Sequence, residues 1–146
     1  MADSVLINGP VTVEKISSTI SLISEKKELG GHSIFLGMVR ADVKGIRTVK
    51  AIEYTAYGEM VQKEANIIRN TILSEFTDVR SIDILHSTGR VMAGEVSLLV
   101  LVSAGHRQQA MAACSKTVEL IKEKFPVWKR EIFEDESHEW VQDNLA

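Results

Sequence analysis

The residues best suited to chemistry begin with two cations at the start of one predicted helix. A strand ends at Ser103-Ala104-Gly105, and His106-Arg107 then open a helix predicted over residues 106–124. Backbone N–H groups and the positive end of the helix dipole meet at such a junction and favour an anion there. A cation opposes the dipole at a cost of about 0.3–1 kcal/mol, so a bound anion would explain Arg107. A polar first turn without a ligand is the alternative.

Two lysines lie on either side of the proline that ends this helix. Lys122 is in the last helical turn, Lys129 is in the following strand, and Pro126 turns the chain between them, so their ammonium groups could converge. A lysine that is near other cations and partly removed from water has a lowered pKa, which suits it to proton transfer or nucleophilic attack. The dipole alone also favours cations at a helix C-terminus, so Lys122 has a structural explanation too.

Two further charged residues are candidates because of their spacing. Arg40 ends the first strand of the predicted sheet. Glu131 lies two residues beyond Lys129 on the same strand face, where it could orient that lysine. We expect the start of the helix over residues 106–124 and the stretch after its end to line one positively charged cavity.

The sequence offers no pattern for a metal or an organic cofactor, and we expect neither. Glycine-rich loops of the kind that hold nucleotide phosphates are absent. The single cysteine, Cys114, lies on the apolar stripe of a predicted helix, so it is expected to be a buried structural residue. Paired metal-ligand spacing is missing among the four histidines, which are His32, His86, His106 and His138.

Composition narrows the class of protein. The 146 residues are 45% hydrophobic and 25% charged, which predicts one globular domain over residues 1–146. The net charge is −3, but residues 106–130 carry six Lys/Arg against two Glu, whereas residues 131–143 carry six acids and no Lys/Arg. Nucleic-acid-binding domains are usually basic overall, so we expect a small anionic ligand or a carboxylate-bearing partner. No apolar run could span a membrane and no signal segment follows Met1, so we expect a cytoplasmic protein.

Apolar spacing predicts the elements of the first half of the chain. A buried strand over residues 32–40 and a strand over residues 46–55 are joined by a candidate hairpin at residues 42–45. Before them, a helix capped by Thr12 runs towards Gly30-Gly31, with an apolar face formed by Val13, Ile16, Ile20 and Ile23.

The second half of the chain repeats this alternation. A helix over residues 57–76 precedes strands over residues 79–86 and 95–103, with a turn at Gly89 and Gly94, and a strand over residues 127–133 follows the last helix. The strand over residues 95–103 is apolar on both faces and is expected to be central. Hairpins combined with helical crossovers predict an α+β fold with a mostly antiparallel sheet, helices packed on one face and a ferredoxin-like element order.

A series of short motifs, taken together, resembles the MoaE family, the large catalytic subunits of molybdopterin synthase. The resemblance covers residues from about 9 to 142 and implies an α/β-hammerhead-like fold. In chain order the motifs are Phe35-x-Gly37-x-Val39-Arg40, Glu53-Tyr54-x-x-Tyr57-x-x-Met60, His86-x-x-Gly89, Gly94-Glu95, Ser103-x-x-His106-Arg107, Lys122-x-x-x-Pro126-x-Trp128-Lys129-Arg130-Glu131 and Trp140-Val141.

The resemblance implies an activity and partners. Such an enzyme inserts two sulfurs into cyclic pyranopterin monophosphate (precursor Z) and forms the dithiolene of molybdopterin. The sulfur arrives as the C-terminal Gly-Gly thiocarboxylate of a small ubiquitin-like subunit whose tail enters a pocket on the large subunit. Two large subunits form a homodimer within a heterotetramer, and neither nucleic acid nor a membrane takes part.

The resemblance also implies roles for residues of this chain. Lys122 would contact the thiocarboxylate carbon or its tetrahedral intermediate, and Lys129 would act as acid or base at the pterin side chain, although the two roles could be exchanged. Part of the substrate site would come from the neighbouring protomer. The implied substrate-binding residues are Met38, Val39, Arg40, His106, Arg107, Lys122, Lys129, Arg130 and Glu131.

The chain departs from the family pattern at two positions, and two alternative functions are compatible with the sequence. The family often has an arginine where this chain has Ser87, and some members have another where this chain has Gln142-Asp143-Asn144. A non-catalytic α+β module that binds an anionic metabolite would not need the lysine pair. An interaction scaffold would bind the small subunit but no pterin phosphate.

Overall fold

The computed structural model describes residues 4–141, in which a mixed sheet carries three helices. The elements are β1 (Leu6–Asn8), α1 (Val13–Ile23), β2 (Gly31–Met38), β3 (Val43–Lys44), β4 (Arg47–Ala56), α2 (Gly58–Glu75), β5 (Val79–Met92), β6 (Val96–Ala104), α3 (Arg107–Lys124), β7 (Val127–Phe133) and β8 (His138–Trp140). The strand order is β2-β6-β5-β4-β7-β8, with β1 beside β5 and β3 beside β4. Only β1 pairs in parallel among these strands of residues 4–141, so the predicted α+β class with a mostly antiparallel sheet is confirmed.

The central strand β6 separates two apolar clusters. Val100 and Val102 pack in the larger cluster against the buried faces of α2 and α3, so these two helices cover one face of the sheet. Leu99 and Leu101 alternate with them and pack in the smaller cluster with Ile23 of α1. Because successive side chains on a strand point to opposite faces, α1 covers the face opposite α2 and α3. The prediction that the helices pack on one face therefore holds for α2 and α3 but is wrong for α1.

Helix α1 is capped as predicted but is shorter. The Thr12 side chain accepts a hydrogen bond from the Lys15 N–H, and the helix ends at Ile23, before Gly30-Gly31. Of the predicted apolar face, Ile23 is buried, whereas Val13 is 76% exposed. The predicted apolar face therefore packs on the sheet through Ile16 and Ile23, while Val13 and Ile20 remain exposed.

The prediction of a buried strand over residues 32–40 is wrong. Strand β2 lies at the edge of the sheet, and Ile34, Leu36 and Met38 are exposed on it. The predicted hairpin does form, but it joins β3 to β4, while β2 pairs with β6. An apolar run indicates a strand, but it does not show whether that strand lies at the edge or in the interior of the sheet.

Strand β5 connects the two halves of the sheet and is longer than predicted. Its first part pairs with β6, and its last part pairs with β4, where Gly89 lies opposite Tyr54. Gly89 does not end the strand; its φ of +77° suits glycine, and a Cβ there would lie 2.6 Å from Asn8 Oδ1. The turn itself is at Gly94.

Candidate functional site

The end of α3 and the start of β7 bring Lys122 and Lys129 to one cavity. Helix α3 ends at Lys124, the N–H of the following residue Phe125 bonds to the Ile121 carbonyl, and β7 begins at Val127. The cavity has a volume of about 380 Å³. Its lining residues are Phe35, Leu36, Gly37, Met38, Arg40, Asp42, Ile52, Tyr54, His86, Ser97, Leu98, Ile121, Lys122, Phe125, Val127, Lys129, Glu131 and Val141.

Lys129 has the environment that the sequence predicts for a reactive lysine. Burial lowers the pKa of Lys129, and the nearby positive charge of Lys122 lowers it further. Both effects penalise the ammonium form. A larger fraction of Lys129 is therefore neutral near physiological pH than for a solvated lysine, and a neutral amine can accept a proton or attack a carbonyl carbon.

His86 also lines the cavity beside the two lysines, although it was not among the predicted site residues. His86 is buried and its Nδ1 donates a hydrogen bond to the Ser87 carbonyl at 2.8 Å, which leaves Nε2 as the acceptor nitrogen. Burial lowers the pKa of His86 to about 4, helped by the charges of Lys129 and Lys122. His86 therefore lines the cavity as a neutral imidazole. Its motif was visible in the sequence, but its burial was not.

The end of β2 also lines the cavity. The register with β6 shifts between Gly37 and Met38, and such a bulge changes where the following side chains point. Met38 and Arg40 line the cavity, and Arg40 pairs with Asp42 at 3.3 Å. Val39 is buried in the apolar core and does not line the cavity, unlike its neighbours on either side.

The two charged residues that follow Lys129 face different environments. Glu131 is buried and lines the cavity, but its ion-pair partner is Lys44 of β3 at 2.5 Å, not Lys129 as expected. Arg130 points to the other face of β7, does not line the cavity, and forms an ion pair with Glu53.

The start of α3 lies far from the cavity within one chain. His106 is the N-cap residue; Asp78 Oδ2 accepts a hydrogen bond from its backbone N–H at 2.8 Å and lies 3.1 Å from its Nδ1. Lys122 lies sixteen positions after His106, which corresponds to about 24 Å along the helix. His106 and Arg107 are exposed and do not line the cavity, so a single chain does not form the one cavity that we expected from both ends of α3.

The two departures from the family pattern have different positions. Ser87 is fully buried and does not line the cavity, because it points to the opposite face of β5 from His86. Gln142-Asp143-Asn144 lie outside the described residues. Within residues 4–141 no group of three or more His, Cys, Asp or Glu is placed to hold a metal ion, and no helix has the length and apolarity to cross a membrane.

Comparisons with known proteins place the chain in a family. The family model described as MoaE protein matches residues 7–124. The chain is 42% identical over 127 residues to a molybdopterin synthase catalytic subunit of Pyrococcus abyssi, covering 87% of this chain and 83% of that protein. It is 39% identical over 113 residues to the subunit of the same name in Dictyostelium discoideum, covering 76% and 71%.

Solved structures agree on the fold. The crystal structure of molybdopterin synthase from Staphylococcus aureus matches with a TM-score of 0.84 at 28% identity, covering 98% of this chain and 99% of that chain. A complex of subunits 1 and 2 of molybdopterin-converting factor from Helicobacter pylori matches with a TM-score of 0.80 at 17% identity, covering 94% and 89%. With a family match that spans most of its length and relatives above 30% identity, the chain belongs to the MoaE family.

Proposed function

We propose that this chain, as a single domain over residues 1–146, is the catalytic subunit of a molybdopterin synthase. It transfers sulfur from the thiocarboxylated Gly-Gly tail of a small ubiquitin-like subunit to cyclic pyranopterin monophosphate and forms the dithiolene of molybdopterin. The observation that carries this proposal is the presence of Lys122 and Lys129 in one cavity, with the pKa of Lys129 lowered by burial and by Lys122. We place the reaction in the cytoplasm.

The cavity suits two anionic reactants. A thiocarboxylate and a cyclic phosphate both favour charge-assisted hydrogen bonds from lysine and arginine. Lys122, at the exposed end of α3, contacts the thiocarboxylate carbon or its tetrahedral intermediate, and half-buried Lys129 exchanges a proton with the pterin side chain. Arg40, at the end of β2, is placed to hold the phosphate or the pterin.

A second copy of the chain would complete the site. His106 and Arg107 are exposed at the end of α3 remote from the lysines, so they can reach a substrate in another protomer but not the one in their own cavity. We therefore propose a homodimer in which each cavity receives His106 and Arg107 from its partner, with one small subunit bound to each large subunit. Met38 and Glu131 contribute from the cavity wall. Val39 supports the wall from the core behind it, and Arg130 holds β7 in place through its ion pair with Glu53.

The proposal is tested by product formation with single-alanine variants. The chain, its thiocarboxylated small subunit and the cyclic pterin are mixed, and the dithiolene product is quantified by mass spectrometry. Lys129→Ala and Lys122→Ala are each expected to lower the rate by about 10²–10⁴-fold, the typical contribution of a proton-transfer group.

Lys124→Ala is the matched control. Lys124 lies at the same end of α3, is exposed, pairs with Glu123 and does not line the cavity, so the rate is expected to stay near that of the wild type. Product formation by Lys129→Ala at the wild-type rate would contradict the catalytic role of Lys129. Binding of the pterin by the wild type without any product would favour a module that only binds an anionic metabolite. Binding of the small subunit without any binding of the pterin would favour a scaffold.

A further inference from the structure

A carboxylate in a cavity that should bind anions requires an explanation. The Glu131 side chain is 9% exposed and lines the same wall as Lys129. The titratable groups that line the cavity around Lys129 are Lys122, His86, Tyr54, Arg40, Asp42 and Glu131. Two of these groups are acids. Asp42 is paired with Arg40, and Glu131 lies only two residues from Lys129.

Lys129 and Glu131 could form an ion pair with each other. They are two residues apart on one face of β7, which separates their Cα atoms by about 6.6 Å, a distance that a lysine and a glutamate side chain easily bridge. Among residues 4–141, however, no ion pair joins them, and Glu131 Oε1 is 2.5 Å from Lys44 Nζ. The carboxylate has therefore been taken up by a different cation.

Lys44 approaches from outside the cavity. It belongs to the short β3–β4 hairpin, where it lies opposite Arg47, and it is not one of the lining residues. Arg47 in turn pairs with Glu139 at 3.1 Å and lies over the Phe133 ring, so the hairpin is anchored to β7 and β8. Hydrogen bonding to Glu131 raises the pKa of Lys44, which keeps this lysine charged.

We propose that Lys44 is a positioning residue of this site: by binding Glu131 it holds the carboxylate away from Lys129 and keeps the Lys129 amino group available to the substrate. The inference rests on the proposed function only in that it takes Lys129 as the residue that exchanges a proton with the substrate. Without Lys44, the released carboxylate would pair with the Lys129 ammonium ion. That ion pair would oppose the lowering of the Lys129 pKa and occupy the group that meets the substrate.

The test measures the titration of Lys129 directly. Trace acetic anhydride reacts only with neutral amines, so the acetylation of Lys129, followed by mass spectrometry across pH, reports its neutral fraction. In Lys44→Ala we expect the midpoint to rise by about one pH unit, the lower end of the effect of an adjacent opposite charge. In the double variant Lys44→Ala/Glu131→Gln the midpoint should return to the wild-type value, and Lys44→Arg should resemble the wild type.

Two controls separate this role from a general effect on folding. Arg47→Met breaks the neighbouring ion pair of the same hairpin but keeps an apolar chain over Phe133, and it should leave the midpoint unchanged. Glu131→Gln alone should also leave it unchanged, because Lys44 already holds this carboxylate away from Lys129. An unshifted midpoint in folded Lys44→Ala, a shift that persists in the double variant, or a lowered midpoint in Glu131→Gln would overturn the proposal.

Activity provides an independent reading. Lys44→Ala should reduce kcat/KM at neutral pH about tenfold, in line with a one-unit shift, whereas Lys44→Arg should keep it near the wild-type value. Expected midpoints combined with a wild-type chain that forms no product would support the role of Lys44 and contradict the proposed function. Unshifted midpoints combined with an active wild type would contradict the role of Lys44 and support the proposed function.

Discussion

The Tyr54 ring lies edge-on to the His86 imidazole, with 5.4 Å between the ring centroids, and its hydroxyl donates to Ser97 Oγ. Tyr54 is buried, and its burial raises the pKa of the phenol. Both side chains line the cavity in their neutral forms beside Lys122 and Lys129. The positively charged side chains that line it are therefore those of Lys122, Lys129 and Arg40.

The neutral state of His86 makes the stability of the protein dependent on pH. The pKa of His86 is about 4 in the folded protein against 6.5 for a solvated histidine, so between these values the unfolded chain binds more protons. The free energy of unfolding should fall as pH decreases from about 6.5 to 4, by about 3 kcal/mol in total from this group. Urea unfolding at a series of pH values measures the slope.

His86→Leu is the matched variant, because it removes the titrating group but keeps an apolar side chain of comparable size. Its stability should depend less steeply on pH over the same window, since the carboxylates that titrate there are common to both proteins. Equal slopes for the two proteins would show that His86 is not held neutral.

Lys122 should control the titration of Lys129. Replacing Lys122 with glutamine removes the like charge but not the burial, so the pKa of Lys129 should rise while staying below that of a solvated lysine. We therefore expect the acetylation midpoint of Lys129 to move to higher pH. A midpoint that does not move, or one that moves down, would contradict a direct interaction between the two lysines.

The convergence of the lysines was predictable because every step is local in the chain. Pro126 stops a helix, Lys122 lies one turn before it, and the alternation of β7 sets which residues share a face with Lys129. The same alternation places Arg130 on the other face. Helix and strand periods were therefore sufficient to predict that the two lysines meet at one cavity.

The partners of the remaining residues could not be predicted, because they come from distant parts of the chain. Glu131 meets Lys44, which lies 87 positions earlier, and nothing in the spacing near Glu131 indicates that hairpin. Burial of His86 likewise depends on distant residues, because its ring contacts Tyr54 of β4 and Phe125 just after α3. The exposed side of β2 depends on strand order, which the apolar run over residues 32–40 does not encode.

Gly30 should be essential for the placement of the His106-Arg107 pair. A Cβ at Gly30 would lie 2.1 Å from the Gly105 carbonyl oxygen, so the start of β2 and the start of α3 would have to separate. Gly30→Ala should lower the free energy of unfolding by about 2 kcal/mol, as expected for overpacking against backbone. Gly58→Ala is the control, because the nearest atom to its Cβ would be 3.9 Å away, and it should be neutral or slightly stabilising in urea unfolding.

A site shared between protomers predicts complementation between inactive variants. Lys129→Ala and the double variant His106→Ala/Arg107→Ala should each be inactive, because one lacks the lysine in every cavity and the other lacks the partner's cations. When the two are unfolded together and refolded, mixed dimers contain one cavity with both sets of residues intact. Random pairing then gives roughly a quarter of the wild-type rate, since half of the dimers are mixed and each has one working cavity. Mixing without refolding is the control and should give no gain. If His106 and Arg107 acted in the cavity of their own chain, no mixed dimer would contain an intact site, and the refolded mixture would stay inactive.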